Sequence, residues 1–127
     1  MGSRSETVFR RLVNFSTALD ELDTSVAASI IAHIIQFEKA WKVSKHDGEI
    51  PSGFHFEPYL RVDDPYRLCQ IRVGPKHGYR ALAMFLNRSS DAYWIHLFKK
   101  VKNRQPEDMQ RARILAQQLW NELKREL

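Results

Sequence analysis

Between Asp23 and Trp41 the apolar residues Val26, Ile30, Ile34, Phe37 and Trp41 recur every three or four positions, predicting one long helix capped by Asp23 or Thr24. A stripe this regular reads as core rather than as a cofactor site, and His33 beside it reads as a packed or partly exposed histidine. Ahead of it, residues 7–15 (T-V-F-R-R-L-V-N-F) are partly β-branched and aromatic and predict a short strand ending at Asn14. Ser16 or Thr17 then caps a short helix through Leu22, which completes a helical hairpin with the longer one. In the second half, residues 67–73, 79–86 and 92–98 form three strand-like runs. The short turns G-P-K-H-G and N-R-S-S-D separate them, as in an antiparallel meander. Pro106 fits the first position of a final helix, with Glu107 and Asp108 in its acidic first turn. Met109, Ala112, Leu115 or Ala116, Leu119 and Leu123 supply its apolar face. The expected fold is α+β: an N-terminal strand and helical hairpin, an antiparallel meander and a C-terminal helix.

No period runs through residues 42–65, where Gly48, Pro51 and Gly53 precede the extended candidate F-H-F-E-P-Y-L. A stretch of this length is either a functional loop or one that hides a short strand or helical turn. His46 and His55, with Asp47 or Glu57, lack a recognisable ligand spacing, so no metal is expected. Residues 1–6 are small and polar, a frayed or expression-derived start, and residues 7–127 are read as a single domain without repeats.

Composition narrows the class of protein. Of 127 residues, 43% are apolar and 28% charged, which predicts a packed core rather than disorder. The formal charge of +5 favours an acidic partner: nucleic acid, an acidic protein segment or an anionic membrane surface. Cys69 is the single cysteine, which excludes an intramolecular disulfide and a cysteine-rich zinc site; within its apolar alternation it reads as a small core residue. With no signal-like hydrophobic region and no apolar run near membrane-spanning length, a cytoplasmic location without membrane contact is expected.

The chemistry gathers at residues 93–106, Y-W-I-H-L-F-K-K-V-K-N-R-Q-P, where an apolar strand runs into Lys99, Lys100, Lys102 and Arg104. Such a run is either a solvated loop or the electrostatic footprint of a polyanion. Register arithmetic adds to it. If residues 74–78 form the first turn, Val73 pairs with Tyr79 and Arg72 falls opposite Arg80, a like-charge pair that is destabilising unless each cation finds a partner. Carrying the count through a turn at residues 87–91 pairs Leu86 with Ala92, Leu82 with His96 and Arg80 with Phe98, so that Arg72, Arg80, His96 and Phe98 share a face. A face of this kind suits RNA cleavage by attack of a ribose 2′-hydroxyl on its own 3′-phosphate, which needs a base, cations for the transition state and an acid, and no metal. Arg72, Arg80, Lys99, Lys100 and Lys102 are the candidate cations and His96 the candidate acid-base group. Tyr79 and Tyr93 are candidates for base stacking or hydroxyl donation, or else members of the core or its edge.

The order of elements, together with I-R-V, G-Y-R-A-L-A-M-F and I-H-L-F-K-K-V-K-N-R-Q-P-E-D, resembles the RelE/ParE toxin superfamily and most closely its HigB-like branch. Arg72, Tyr79, Arg80, His96, Phe98, Lys99, Lys100 and Pro106 fall on the motif positions. The resemblance implies a type II toxin of a toxin-antitoxin system, an endoribonuclease that needs no cofactor, enters the ribosomal A site, cuts translated messenger RNA and is neutralised by a cognate antitoxin, expected to be a small helix-turn-helix protein. By this resemblance Arg72, Arg80, His96 and Lys99 are the catalytic candidates and Tyr79, Phe98 and Lys100 RNA-binding ones, to which the basic run adds Lys102 and Arg104. Two other readings keep the fold: a ParE-like poison of DNA gyrase, and a non-catalytic RNA- or protein-binding module.

Overall fold

The computed structural model describes residues 8–44, 56–58, 65–86, 91–101 and 105–126. The chain begins with strand β1 (Val8–Arg11), followed by helices α1 (Val13–Asp20) and α2 (Thr24–Ser44). Strands β2 (Phe56–Pro58), β3 (Tyr66–Val73), β4 (Tyr79–Leu86) and β5 (Asp91–Lys99) come next, and helix α3 (Gln105–Leu123) closes the order. The expected α+β arrangement is present. The five strands lie in the order β1-β5-β4-β3-β2; β1 joins β5 in parallel, and every other pair is antiparallel.

Alternation along the strands divides the core into two layers. Cys69, Ile71, Val73, Ala81, Ala83, Phe85 and Trp94 pack with Phe15, Ile30, Ile34, Phe37 and Trp41 of the helical hairpin. Tyr66, Leu68, Leu82, Met84, Ile95 and Phe98 pack with Met109, Ala112 and Ala116 of α3. Two-sided burial of this kind explains why β4 reads Y-R-A-L-A-M-F-L, nearly continuous in apolar side chains, rather than alternating with polar ones. The helical stripe predicted for α2 is the one that buries.

The first helix begins earlier than its capping residues predict. Leu12, not Ser16 or Thr17, is its N-cap and offers no side-chain bond. Bonds to β5 anchor this end of the helix instead. The Leu12 N–H donates to the Trp94 carbonyl at 3.0 Å, and Asn14 Nδ2 donates to the Ile95 carbonyl at 2.6 Å. The strand expected to end at Asn14 stops at Arg11, and Phe15 is a fully buried helical residue against the Trp94 ring.

The turn between β3 and β4 holds the end of the sheet in one geometry. Gly74 has φ +83°, a conformation that penalises any Cβ, and a Cβ there would lie 2.9 Å from Tyr79 Cδ1 and 3.1 Å from Ile30 Cγ1. Its N–H donates to His33 Nδ1 at 2.9 Å, which ties the turn to α2. Lys76 and His77 also take positive φ, 55° and 54°. Gly74→Ala should therefore destabilise the fold by roughly 1–3 kcal/mol. A urea midpoint equal to the wild type would refute the strain assigned to this turn.

Candidate functional site

Strand register builds the site. Arg72 pairs with Arg80, and Arg80 with Phe98, in one row across β3, β4 and β5. The adjacent row on the same face is Gln70, Leu82 and His96. Arg72, Arg80, His96 and Phe98 thus share the face that α3 covers. The pairing expected near the second turn is different: Ala92 lies opposite Phe85, not Leu86. An extra residue, Ile95, intervenes between the pairs Ala83–Trp94 and Leu82–His96, so the register is displaced by one on the turn side of this bulge and agrees with the expectation beyond it. The bulge brings Ile95 and His96 to the same side, where Ile95 joins the α3 layer and His96 meets the Asp108 carboxylate.

The two arginines divide their roles. Arg80 is 6% exposed and donates from Nη1 to the carbonyls of His77 at 2.8 Å and Tyr79 at 3.1 Å. Carbonyl oxygens at the turn thereby give its guanidinium polar partners beside the like-charge pairing. Arg72 is exposed and makes no hydrogen bond or ion pair among the described residues. It is the cation of this pair that is open to a phosphate.

His96 is held on this face by a carboxylate and a stacked ring. Its side chain is 11% exposed, its Nε2 lies 3.2 Å from Asp108 Oδ1, and its ring stacks on Phe98 with centroids 5.4 Å apart. Burial lowers its pKa from the ordinary histidine value, Asp108 opposes that through a hydrogen bond and its charge, and Arg111 adds to the lowering. The lowering favours the neutral imidazole, the state in which it can accept a proton.

The remaining candidates are spread around the rim. Lys99 pairs with Tyr79, so it leaves the sheet on the side of α2 and not beside Arg72, Arg80 and His96. Tyr79 also belongs to the α2 side, packed under Gly74, so it does not share the arginine face. Tyr93 packs in the α3 layer. Lys100 is exposed just past β5, and its N–H donates to the Gly78 carbonyl at 2.9 Å, so the cationic segment leaves from the turn that anchors Arg80. Lys102 and Arg104 lie outside the described residues, as do His46, Asp47 and His55. Among the described residues, no group of three or more His, Cys, Asp or Glu could hold a metal ion. Cys69 is buried, and burial drives its thiol well above the ordinary range, which leaves it inert as a nucleophile. No helix among the described residues is long and apolar enough to cross a membrane.

Sequence alone gives Asp108 a place in the quoted motif and in the acidic first turn but no role at the site, and it gives Arg111 none. Asp108 has a local explanation as an acidic residue in the first turn of α3, and its place beside His96, twelve residues earlier, depends on how α3 folds back over the sheet. Comparison with protein-family models, curated proteins and solved structures finds no match. The functional reading therefore rests on the residues and their geometry.

Proposed function

We propose that this protein is a type II toxin of the RelE/HigB kind, an endoribonuclease that cuts messenger RNA on the ribosome and is restrained by a small antitoxin. The observation that carries the reading is the shared sheet face: Arg72, Arg80 and Phe98 in one row, with His96 in the next. In this reaction the 2′-oxygen attacks the adjacent phosphorus, the 5′-oxygen leaves, and a cyclic phosphate remains. His96 takes the 2′-hydroxyl proton, Arg72 stabilises the charge growing on the phosphoryl oxygens, and Arg80 braces the turn and supplies positive potential beneath it. Lys100, exposed just past β5 where the chain leaves the turn that anchors Arg80, guides the RNA backbone.

A second reading is favoured by one observation: Arg80 and the His96 side chain are 6% and 11% exposed, so α3 leaves little of either within reach of RNA. On that reading the exposed Arg72 and Lys100 bind RNA at its edge without cutting it.

Controlled expression in bacteria separates the two. The ribonuclease reading expects growth arrest with cleavage of ribosome-bound messenger. Because Arg72 is exposed, Arg72→Ala should lower cleavage by about 10²-fold while leaving thermal unfolding unchanged. Normal growth with intact messenger on wild-type expression would remove the enzyme reading, and RNA binding that persists without cleavage would support the module.

A further inference from the structure

A neutral imidazole carries its proton on one nitrogen and offers a lone pair on the other, and the partner of the first decides which is which. His96 Nε2 faces Asp108 Oδ1 at 3.2 Å. An ionised carboxylate only accepts, so the hydrogen lies on Nε2 and the lone pair on Nδ1. Nδ1 makes no hydrogen bond among the described residues. The stacked Phe98 ring and the bulge at Ile95 further limit how the imidazole can turn. We propose that Asp108 is a positioning residue that holds His96 in its Nε2–H tautomer, and that Nδ1 is the atom that receives the substrate proton.

The chemical part of this inference rests on the ribonuclease reading; the tautomer does not. In the step, the 2′-hydroxyl proton passes to Nδ1 as the O2′–P bond forms and the P–O5′ bond breaks, with the leaving oxygen taking a proton from water. The charged groups that act on the ring are Asp108 and Arg111 from α3, while Arg80 on β4 and Arg72 on β3 lie in the next row of the same face. Asp108 alone among them favours the protonated ring. Its loss should move the His96 titration further down, and so extend cleavage to lower pH while lowering its plateau.

Nitrogen-15 and carbon-13 spectra of the His96 ring, recorded across pH in the intact protein, test this directly. The wild-type ring should be in the Nε2–H tautomer when neutral. Asp108→Asn should lose that preference and titrate at lower pH, whereas Asp108→Glu, which keeps the charge, should stay near the wild type. Cleavage by Asp108→Asn should fall on the order of tenfold or more in kcat, with the acid limb of the profile displaced downward and KM little changed. A wild-type ring in the Nδ1–H form, or an Asp108→Asn ring with unaltered tautomer and titration, overturns the proposal. If the wild type cuts no RNA, the ribonuclease reading and the role of Nδ1 as proton acceptor fall together, while the spectra still decide whether Asp108 sets the tautomer.

Discussion

Replacing Trp94 with alanine is expected to cost about 3–5 kcal/mol of stability, the usual range for removing a large aromatic ring from a packed core. The residue is fully buried on β5, between β1 and β4. Its ring lies 6.0 Å from Phe9 and Phe15 and 5.8 Å from Phe37, which joins the first strand, the first helix and the second helix through one side chain. The indole N–H also donates to Glu38 Oε2 at 2.8 Å, so truncation removes a hydrogen-bond donor from that carboxylate as well. Domains of this size have about 5–15 kcal/mol in total, so the substitution should remove a large share of the stability. Trp94→Phe should retain most of the packing and lose chiefly the hydrogen bond. Urea unfolding of the three proteins checks the order; a Trp94→Ala midpoint indistinguishable from the wild type would contradict the central place given to this ring.

His96→Ala should reduce RNA cleavage by about 10²–10⁴-fold, the usual contribution of a positioned general base or acid. Its effect on the fold should be small by comparison, because the substitution removes one hydrogen bond to the partly exposed Asp108 and the stack on Phe98. Thermal unfolding measured beside single-turnover cleavage separates the two contributions. Because burial lowers the pKa of the imidazole, wild-type cleavage should rise with pH through a transition below the ordinary histidine value and then level off. If Arg72→Ala abolishes cleavage while His96→Ala leaves it within a few-fold, the reaction depends on phosphate electrostatics, and His96 is a packing residue.

Much of this fold is legible along the chain because its periods are long and unambiguous. The stripe Val26, Ile30, Ile34, Phe37 and Trp41 marks α2, and the limits of β4 at Tyr79 and Leu86 coincide with the turn residues on either side. The pairing of Arg72 with Arg80 follows from the five-residue turn alone, since side chains alternate strictly along a strand and the turn length sets which of them meet. His96 reaches the same face for a different reason. The turn-based count pairs Leu86 with Ala92, the actual ladder pairs Phe85 with Ala92, and the Ile95 bulge restores agreement at His96.

Residue order and periodicity by themselves determined the helices, the meander and a row of cations on one sheet face, because each depends on neighbours a few positions apart. Tertiary structure alone decided that α1 begins at Val13, through backbone and side-chain bonds to β5. It also decided that Arg80 turns to carbonyls while Arg72 stays open, that Tyr79 and Lys99 fall on the opposite side, and that Asp108 meets His96. These outcomes turn on bulges, on desolvation and on the docking of a helix across the sheet. Their free energies come from residues distant in sequence, and no local pattern records them.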